Sequence, residues 1–248
     1  MAISLLAEHR PNILQHAMPS LLYHKDESVR LAAIQHTNIQ QTAIAKQLTS
    51  IVQDPSQSPK MVSLALQRLG NTQICVPYLE HLDLEIRRGA LLGLLQNGVS
   101  ETGLAHSTLI AATQAEDDRT RQWAAEVIGE IGGVKYAKNL HLLMQDKSIG
   151  VRKAAILASG QGDDPGLWQG VVTALEAEDT RPVAIRALYA VGERALPAIV
   201  TALTSASPSV VIEFTRICGK SGGIRFSHSC THSFTTPRSG CGRRLCAC

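Results

Sequence analysis

Glu116-Asp-Asp-Arg-Thr-Arg-Gln-Trp-Ala-Ala-Glu-Val-Ile-Gly-Glu-Ile-Gly-Gly133, continued by Val134-Lys-Tyr-Ala-Lys-Asn-Leu-His-Leu-Leu-Met-Gln145, is the stretch that decides the fold. It reads as one amphipathic helix, a glycine break and a second amphipathic helix. Weaker copies lie on both sides. Each copy opens with an acid, a short spacer, an aliphatic residue or its equivalent before Arg, and a small residue three positions on. The series runs Asp26…Arg30…Ala33, Asp83…Arg87…Ala90, Asp118…Arg121…Ala124 and Asp146…Arg152…Ala155, with degenerate members at Val62-Ser63, Val183-Ala184 and Val210-Val211. The repeat length is near 30 residues, which points to a solenoid of helix pairs.

The second helix of each unit is predicted at 39–52, 74–82, 104–112, 134–144, 167–175 and 196–203. Leu167, Val171, Val172 and Leu175, or Leu196, Ile199, Val200 and Leu203, fall on one helical face. Several first helices are expected to end on a glycine, at Gly70, Gly129, Gly160, Gly192 and Gly219, where positive φ costs little without a Cβ. Prolines at 11, 77, 165, 182, 197 and 208 mark helix starts or turns. Pairs this short cannot bury their apolar faces alone, so they must stack. The expected fold is all-α, a right-handed α-solenoid with first helices on the convex side and second helices on the concave side. Its organisation is read as N-terminal helices over 1–25, a repeat solenoid over 26–223 and a tail over 224–248.

Composition agrees. The apolar content of 44% is that of a core-forming chain, and an aromatic content of 4% with abundant Ala and Leu suits packed helices better than sheets. No apolar run reaches the roughly 18 residues that span a bilayer, and the first ten residues lack the pattern of a signal peptide. The expectation is a cytoplasmic protein without a membrane span. The net charge of +3 arises in the tail: without Arg225, Arg238, Arg243 and Arg244 the 24 basic residues fall to 20, against 21 acids. A body near −1 gives no electrostatic ground for nucleic-acid binding.

With the aliphatic-Arg-x-x-Ala core and the terminal glycines in view, residues 26 to about 219 resemble HEAT repeats, particularly the short kind found in bilin lyase subunits. In that family the acid and arginine near the first helix form a ladder from repeat to repeat. The resemblance implies that Asp26, Arg30, Asp83, Arg87, Asp118, Arg121, Asp146 and Arg152 are ladder members, with interruptions at Ser63, Ala184 and Val211. A narrower resemblance covers Arg194-Ala-Leu-Pro-Ala-Ile-Val and 211–223, which are similar to the HEAT region that follows the membrane spans of some bacterial nucleotide-translocase and major-facilitator transporters. That likeness implies a piece of a membrane transporter's regulatory region.

Residues able to do chemistry have structural explanations. His228, Cys230, His232, Cys241, Cys246 and Cys248 in the tail are ligand types for zinc, but their spacing is too close for the usual two-residue knuckle. The abrupt, acid-free composition after Gly223 reads as disordered or out-of-frame sequence. The two body cysteines, Cys75 and Cys218, make no disulfide framework. Trp123 is expected in inter-repeat packing and Trp168 in stapling a helix start. No two of the body histidines make a His-x-x-x-His pair. Lys135, Lys138 and His141 share a second helix and are the candidates for contacts on the concave face. Gly219-Lys-Ser221 lacks the upstream glycine and strand of a phosphate loop. No nucleophile, base, cofactor or metal site is assigned.

The function so implied is a non-catalytic scaffold or regulatory module that binds another protein. The alternative, carried by the repeat type, is a bilin lyase or isomerase subunit acting on a phycobiliprotein. Co-expression with a bilin and a phycobiliprotein separates them, since a lyase must yield a covalent coloured product.

Overall fold

The computed structural model describes residues 2–37, 42–96, 102–132, 134–203 and 207–220. The described residues contain helices and turns and no strand. Two N-terminal helices, α1 (Ala2–His9) and α2 (Pro11–Leu22), are separated at Arg10, where Pro11 begins the second. Helix pairs follow: α3 (Glu27–Gln35) with α4 (Thr42–Gln53), α5 (Pro59–Leu69) with α6 (Thr72–Cys75), and α7 (Leu84–Gln96) with α8 (Thr102–Thr113). Next come α9 (Asp118–Ile131) with α10 (Ala137–Leu143), α11 (Ile149–Gln161) with α12 (Pro165–Thr173), α13 (Arg181–Val191) with α14 (Leu196–Leu203), and finally α15 (Pro208–Lys220). The architecture is an all-α solenoid.

Local sequence sets the helix starts. Asp26 caps α3 by accepting from the Ser28 N–H at 2.8 Å, and Asp117 caps α9 through the Thr120 N–H at 2.8 Å. Pro59 and Pro165 enter the first turns of α5 and α12, where no backbone N–H is needed. The predicted second helix over 74–82 is shorter than its periodicity suggests. α6 ends at Cys75 and passes into a 3₁₀ turn at Val76–Tyr78. Pro77 has no N–H to continue the α ladder.

The glycines divide into two roles, and this corrects the expectation for Gly129 and Gly160. Gly70 and Gly192 do have positive φ at the ends of α5 and α13, but α9 ends on Gly132, at φ 77°. Gly129 and Gly160 lie inside α9 and α11, buried, and Gly219 lies inside α15. A Cβ on Gly129 would come within 3.0 Å of Ala158 Cα, and one on Gly160 within 2.8 Å of Ala187 Cα. These two glycines let successive first helices approach closely.

The linkage between repeats also differs from the expected series. Arg30, Arg87, Arg121, Arg152 and Arg181 each donate to the carbonyl six residues back: His24, His81, Ala115, Asp146 and Leu175. These carbonyls leave the C-terminal end of the preceding second helix, or of the turn that follows it, where carbonyls lack helical partners and a cation is favourable. Arg181 therefore holds the place that sequence alignment assigned to Ala184, from one helical turn earlier. Three rungs instead join an acid to a serine about one repeat later. Ser58 Oγ donates to Glu27 at 2.5 Å, Ser148 Oγ to Asp118 at 3.0 Å, and Ser207 Oγ to Glu176 at 2.7 Å.

The core lies between the row of first helices and the row of second helices. Leu48, Leu66, Ala90, Leu109, Ala124, Ile128, Leu140, Val151 and Ala155 are all inaccessible there. It continues through Val171, Leu175 and Leu188 to Phe214.

Candidate interaction surface

The second helices from α8 onward make a contiguous row, since α8 packs on α10, α10 on α12 and α12 on α14. Their inner faces supply core residues, such as Leu109, Leu140, Leu143, Val171 and Ile199. Their outer faces carry exposed apolar side chains. Leu142 is 66% exposed, Val200 61%, Leu104 47% and Ile110 39%.

A groove of about 500 Å³ runs along this row between α10 and α12. Ala137, Lys138, His141 and Leu142 form one side, and Asp164, Gly166 and Leu167 the other. A Cβ added to Gly170 of α12 would stand 2.7 Å from the terminal methyl of Met144, the movable end of a flexible side chain. Asp164 is committed to capping, accepting from the Gly166 N–H at 2.9 Å.

Of the predicted contact residues, Lys138 and His141 both line this groove, and both are exposed. Lys135 is exposed on the 3₁₀ turn Val134–Tyr136 that leads into α10. That turn is pinned to α8 by Tyr136, which is buried and hydrogen-bonded to Nδ1 of His106. Burial pushes the Tyr136 phenol up to about 12. Burial, and then the positive charge of Lys135, lower the His106 imidazole below its usual range. A neutral imidazole accepting from a protonated phenol fits both directions. Asn139 Nδ2 adds a second tie to α8, donating to Thr113 Oγ1 at 3.1 Å.

The predicted ladder residues lie at the starts of first helices and in the turns before them, away from this groove. The structure brings Arg121 and Asp146 together across a repeat. Arg121 Nε donates at 2.7 Å and Nη2 at 2.9 Å to the two carboxylate oxygens, a bidentate pair with both side chains nearly buried. This bond, ahead of a backbone N–H from Ser148, holds the Asp146 carboxyl below the ordinary carboxylate range. Arg30, Arg87 and Arg152 are directed at local carbonyls, while Asp26 and Asp83 cap their own helices.

A larger cleft of about 660 Å³ opens on the first-helix row, between the starts of α7 and α9. Arg87 lies over the Trp123 ring there, 5.7 Å from its centroid. The lining is polar, but its charges largely answer one another. Arg88 pairs with Glu85 and Glu130, and Gln122 donates to Glu126. Trp123 is buried as expected, with an indole N–H that has no partner, whereas the Trp168 N–H donates to the Gly162 carbonyl at 3.2 Å.

Among the described residues, no three His, Cys, Asp or Glu side chains are grouped to hold a metal ion, and no helix is long and apolar enough to cross a membrane. The tail histidines and cysteines, His228, Cys230, His232, Cys241, Cys246 and Cys248, lie outside the described residues.

Comparison with known proteins bears on the repeats. No curated protein matches the chain in sequence. Solved structures similar to it include the complex of CpcE and CpcF of phycocyanin lyase from Nostoc sp. PCC7120, at 18% identity and a TM-score of 0.44, covering 83% of this chain and 94% of that one. An engineered protein aligns at 19% identity and a TM-score of 0.41, covering 85% and 96%. Human deoxyhypusine hydroxylase in complex with glycerol aligns at 16% identity and a TM-score of 0.36, covering 89% and 87%. Residues 106–188, from the middle of α8 to α13 and including the whole groove, match the family model of HEAT repeats. Within residues 106–188, which hold the pairs α9–α10 and α11–α12, the stacked helices match HEAT repeats.

Proposed function

We propose that this chain is a non-catalytic protein-interaction scaffold, and that the row α8, α10, α12 and α14 is its contact surface. The observation that carries the reading is the exposure of Leu142, Val200 and Leu104 on one contiguous row of second helices, beside a groove with an apolar floor. Apolar groups left in water along a rigid surface gain free energy when a partner covers them. Stacked repeats supply such a surface without ordering a loop, so little conformational entropy is lost on docking.

The test uses a photo-crosslinking amino acid at position 200 of the full chain, in lysate of the source cell. A discrete protein adduct is expected, and Leu142→Asp in the same chain is expected to abolish it. The same crosslinker at the exposed Lys60, on α5 of the first-helix row, serves as the comparison. Adducts arising only at position 60, or adducts indifferent to Leu142→Asp, would overturn the assignment.

A further inference from the structure

The first-helix row is packed backbone to backbone on either side of one seam. α7 turns Gly89 and Gly93 to α5, where an added Cβ would stand 2.1 Å from the Ser63 carbonyl oxygen and 2.6 Å from that of Leu66. α9 turns Gly129 to α11, where a Cβ would stand 3.0 Å from Ala158 Cα, and α11 turns Gly160 to α13, where it would stand 2.8 Å from Ala187 Cα. The close-packing faces of α7 and α9 are thus directed away from each other. Between these two helices stand long side chains, Arg87 and Arg88 from α7 and Gln122, Trp123 and Glu126 from α9, around the cleft of about 660 Å³. Arg88 reaches across to Glu130, and the Arg87 guanidinium lies over the Trp123 ring. The Arg88 and Glu130 side chains are 28% and 35% exposed, so water competes for their pair. The arginines of the cleft, Arg87, Arg88 and Arg119, face the carboxylates Asp83, Glu85 and Glu126, so it offers a ligand no net charge. On the second-helix row the same junction is closed. His106 of α8 is bonded to Tyr136, Asn139 of α10 donates to Thr113 of α8 at 3.1 Å, and Ala105, Leu109 and Leu140 are inaccessible.

We propose that the α7–α9 seam is the hinge of this solenoid. The helices up to α8 and those from α9 onward rotate as two blocks about the α8–α10 contact, opening and closing the first-helix cleft, and Arg88 with Glu130 is the latch. Parting α5 from α7, or α9 from α11, would pull apart close-packed backbone along a helix face, and such packing resists gradual deformation. Widening the α7–α9 cleft exchanges a part-exposed ion pair and a cation–π contact for water, a far smaller loss. Bending is therefore concentrated at one junction and not spread evenly over the repeats. Its consequence lies on the opposite row. Rotation about the α8–α10 contact changes the angle between α8, which carries the exposed Leu104 and Ile110, and α10, which carries Leu142. The curvature of that row is then set at a single seam, whatever the row binds.

The experiment is double electron–electron resonance on the full chain, with nitroxides attached to genetically encoded ketone amino acids so that the native cysteines stay unlabelled. Labels at Lys60 on α5 and Glu116 before α9, both exposed, lie on opposite sides of the seam. Labels at Glu116 and Arg186 of α13, or at Lys60 and Gln96 of α7, are exposed too and span only glycine-packed junctions. The 60–116 distance distribution is expected to be the broadest of the three. Arg88→Ala and Glu130→Ala are each expected to broaden it further, and the double variant to add nothing beyond either single change, since both remove one latch. Added salt should broaden the same pair by screening the latch. The 116–186 and 60–96 distributions should stay as they are in every variant, which also reports that the helix pairs remain folded. Equal broadening of all three pairs would mean that bending is spread along the chain and would overturn the hinge. A 60–116 distribution as narrow as the other two would overturn it as well. A broad 60–116 distribution that ignores both variants and salt would leave a hinge without this latch and overturn the role of Arg88 and Glu130.

Discussion

Gly89→Ala is the sharpest test of how the first-helix row is held together. Gly89 is buried in α7, and a Cβ built on it would stand 2.1 Å from the Ser63 carbonyl oxygen, 2.4 Å from Ser63 Cα and 2.5 Å from Ser63 C. One turn later, a Cβ on Gly93 would meet the Leu66 carbonyl at 2.6 Å. All of these are backbone atoms of α5, so no rotamer change relieves the contact. Reaching the ordinary 3.4 Å would require α5 and α7 to part locally by about 1.3 Å. Separation on that scale loosens the layer that holds Leu66, Ala90 and Leu94, all inaccessible in the native chain. Alanine recovers about 1 kcal/mol of helix propensity, while overpacking of a rigid contact costs typically 1–3 kcal/mol or more. We expect a net loss of about 2 kcal/mol, or roughly 4–8 °C in melting temperature for a chain of this size. Stacked repeats need not unfold in one step, so thermal melting by circular dichroism is paired with hydrogen exchange, which should show the lost protection in α5 and α7. Gly103→Ala, at an exposed position of α8 where a Cβ meets nothing within 4 Å, should be neutral or stabilising by up to ~1 kcal/mol. Ser63→Gly should not rescue Gly89→Ala, because the clash is with backbone. If Gly89→Ala melts at or above the native temperature, close helix approach through glycine is not what holds this repeat pair.

Three further outcomes follow from the side-chain geometry. Trp168→Phe removes the donor to the Gly162 carbonyl and should cost about 1–2 kcal/mol more than Trp123→Phe, whose indole N–H is already buried without a partner; urea titrations of the two variants decide this. The buried Cys75 thiol is pushed up to about 11 by burial, so iodoacetamide at neutral pH should leave its peptide unlabelled in the native chain and label it once urea is added, as read by mass spectrometry. The Asp146 carboxyl is lowered from 3.8 by the Arg121 hydrogen bonds, so the unfolded chain takes up this proton first as pH falls. Its contribution is complete above about pH 4 and is lost as pH falls through the depressed native value, and Asp146→Asn should flatten that part of the acid-unfolding profile.

Helix pairing was legible because its signals are local. Apolar residues three and four apart, an acid at a helix start such as Asp26, and first-turn prolines such as Pro165 each act within one or two turns. The site was legible only in part. Lys138 and His141 were marked as one face of one helix, yet nothing in the linear pattern placed Leu167 of the next repeat opposite them. The α7–α9 cleft, with Arg87 over Trp123, was not foreseen, since it depends on how two first helices separate.

The sequence by itself determined that this chain folds as stacked helix pairs, since the 3.6-residue period and the near-30-residue repeat leave short amphipathic helices no other way to bury their apolar faces. The tertiary structure decided which groups meet across a repeat. It made Gly129 and Gly160 contact points where helix ends were expected, gave Arg181 the place assigned to Ala184, and joined Glu27 to Ser58 and Asp118 to Ser148. It also stacked α8, α10, α12 and α14, none of which carries a carboxylate, into one row. The physical reason is register: which residues face one another 30 positions apart is set by interdigitation between neighbouring helices, and a helix's own sequence encodes only its half of that contact.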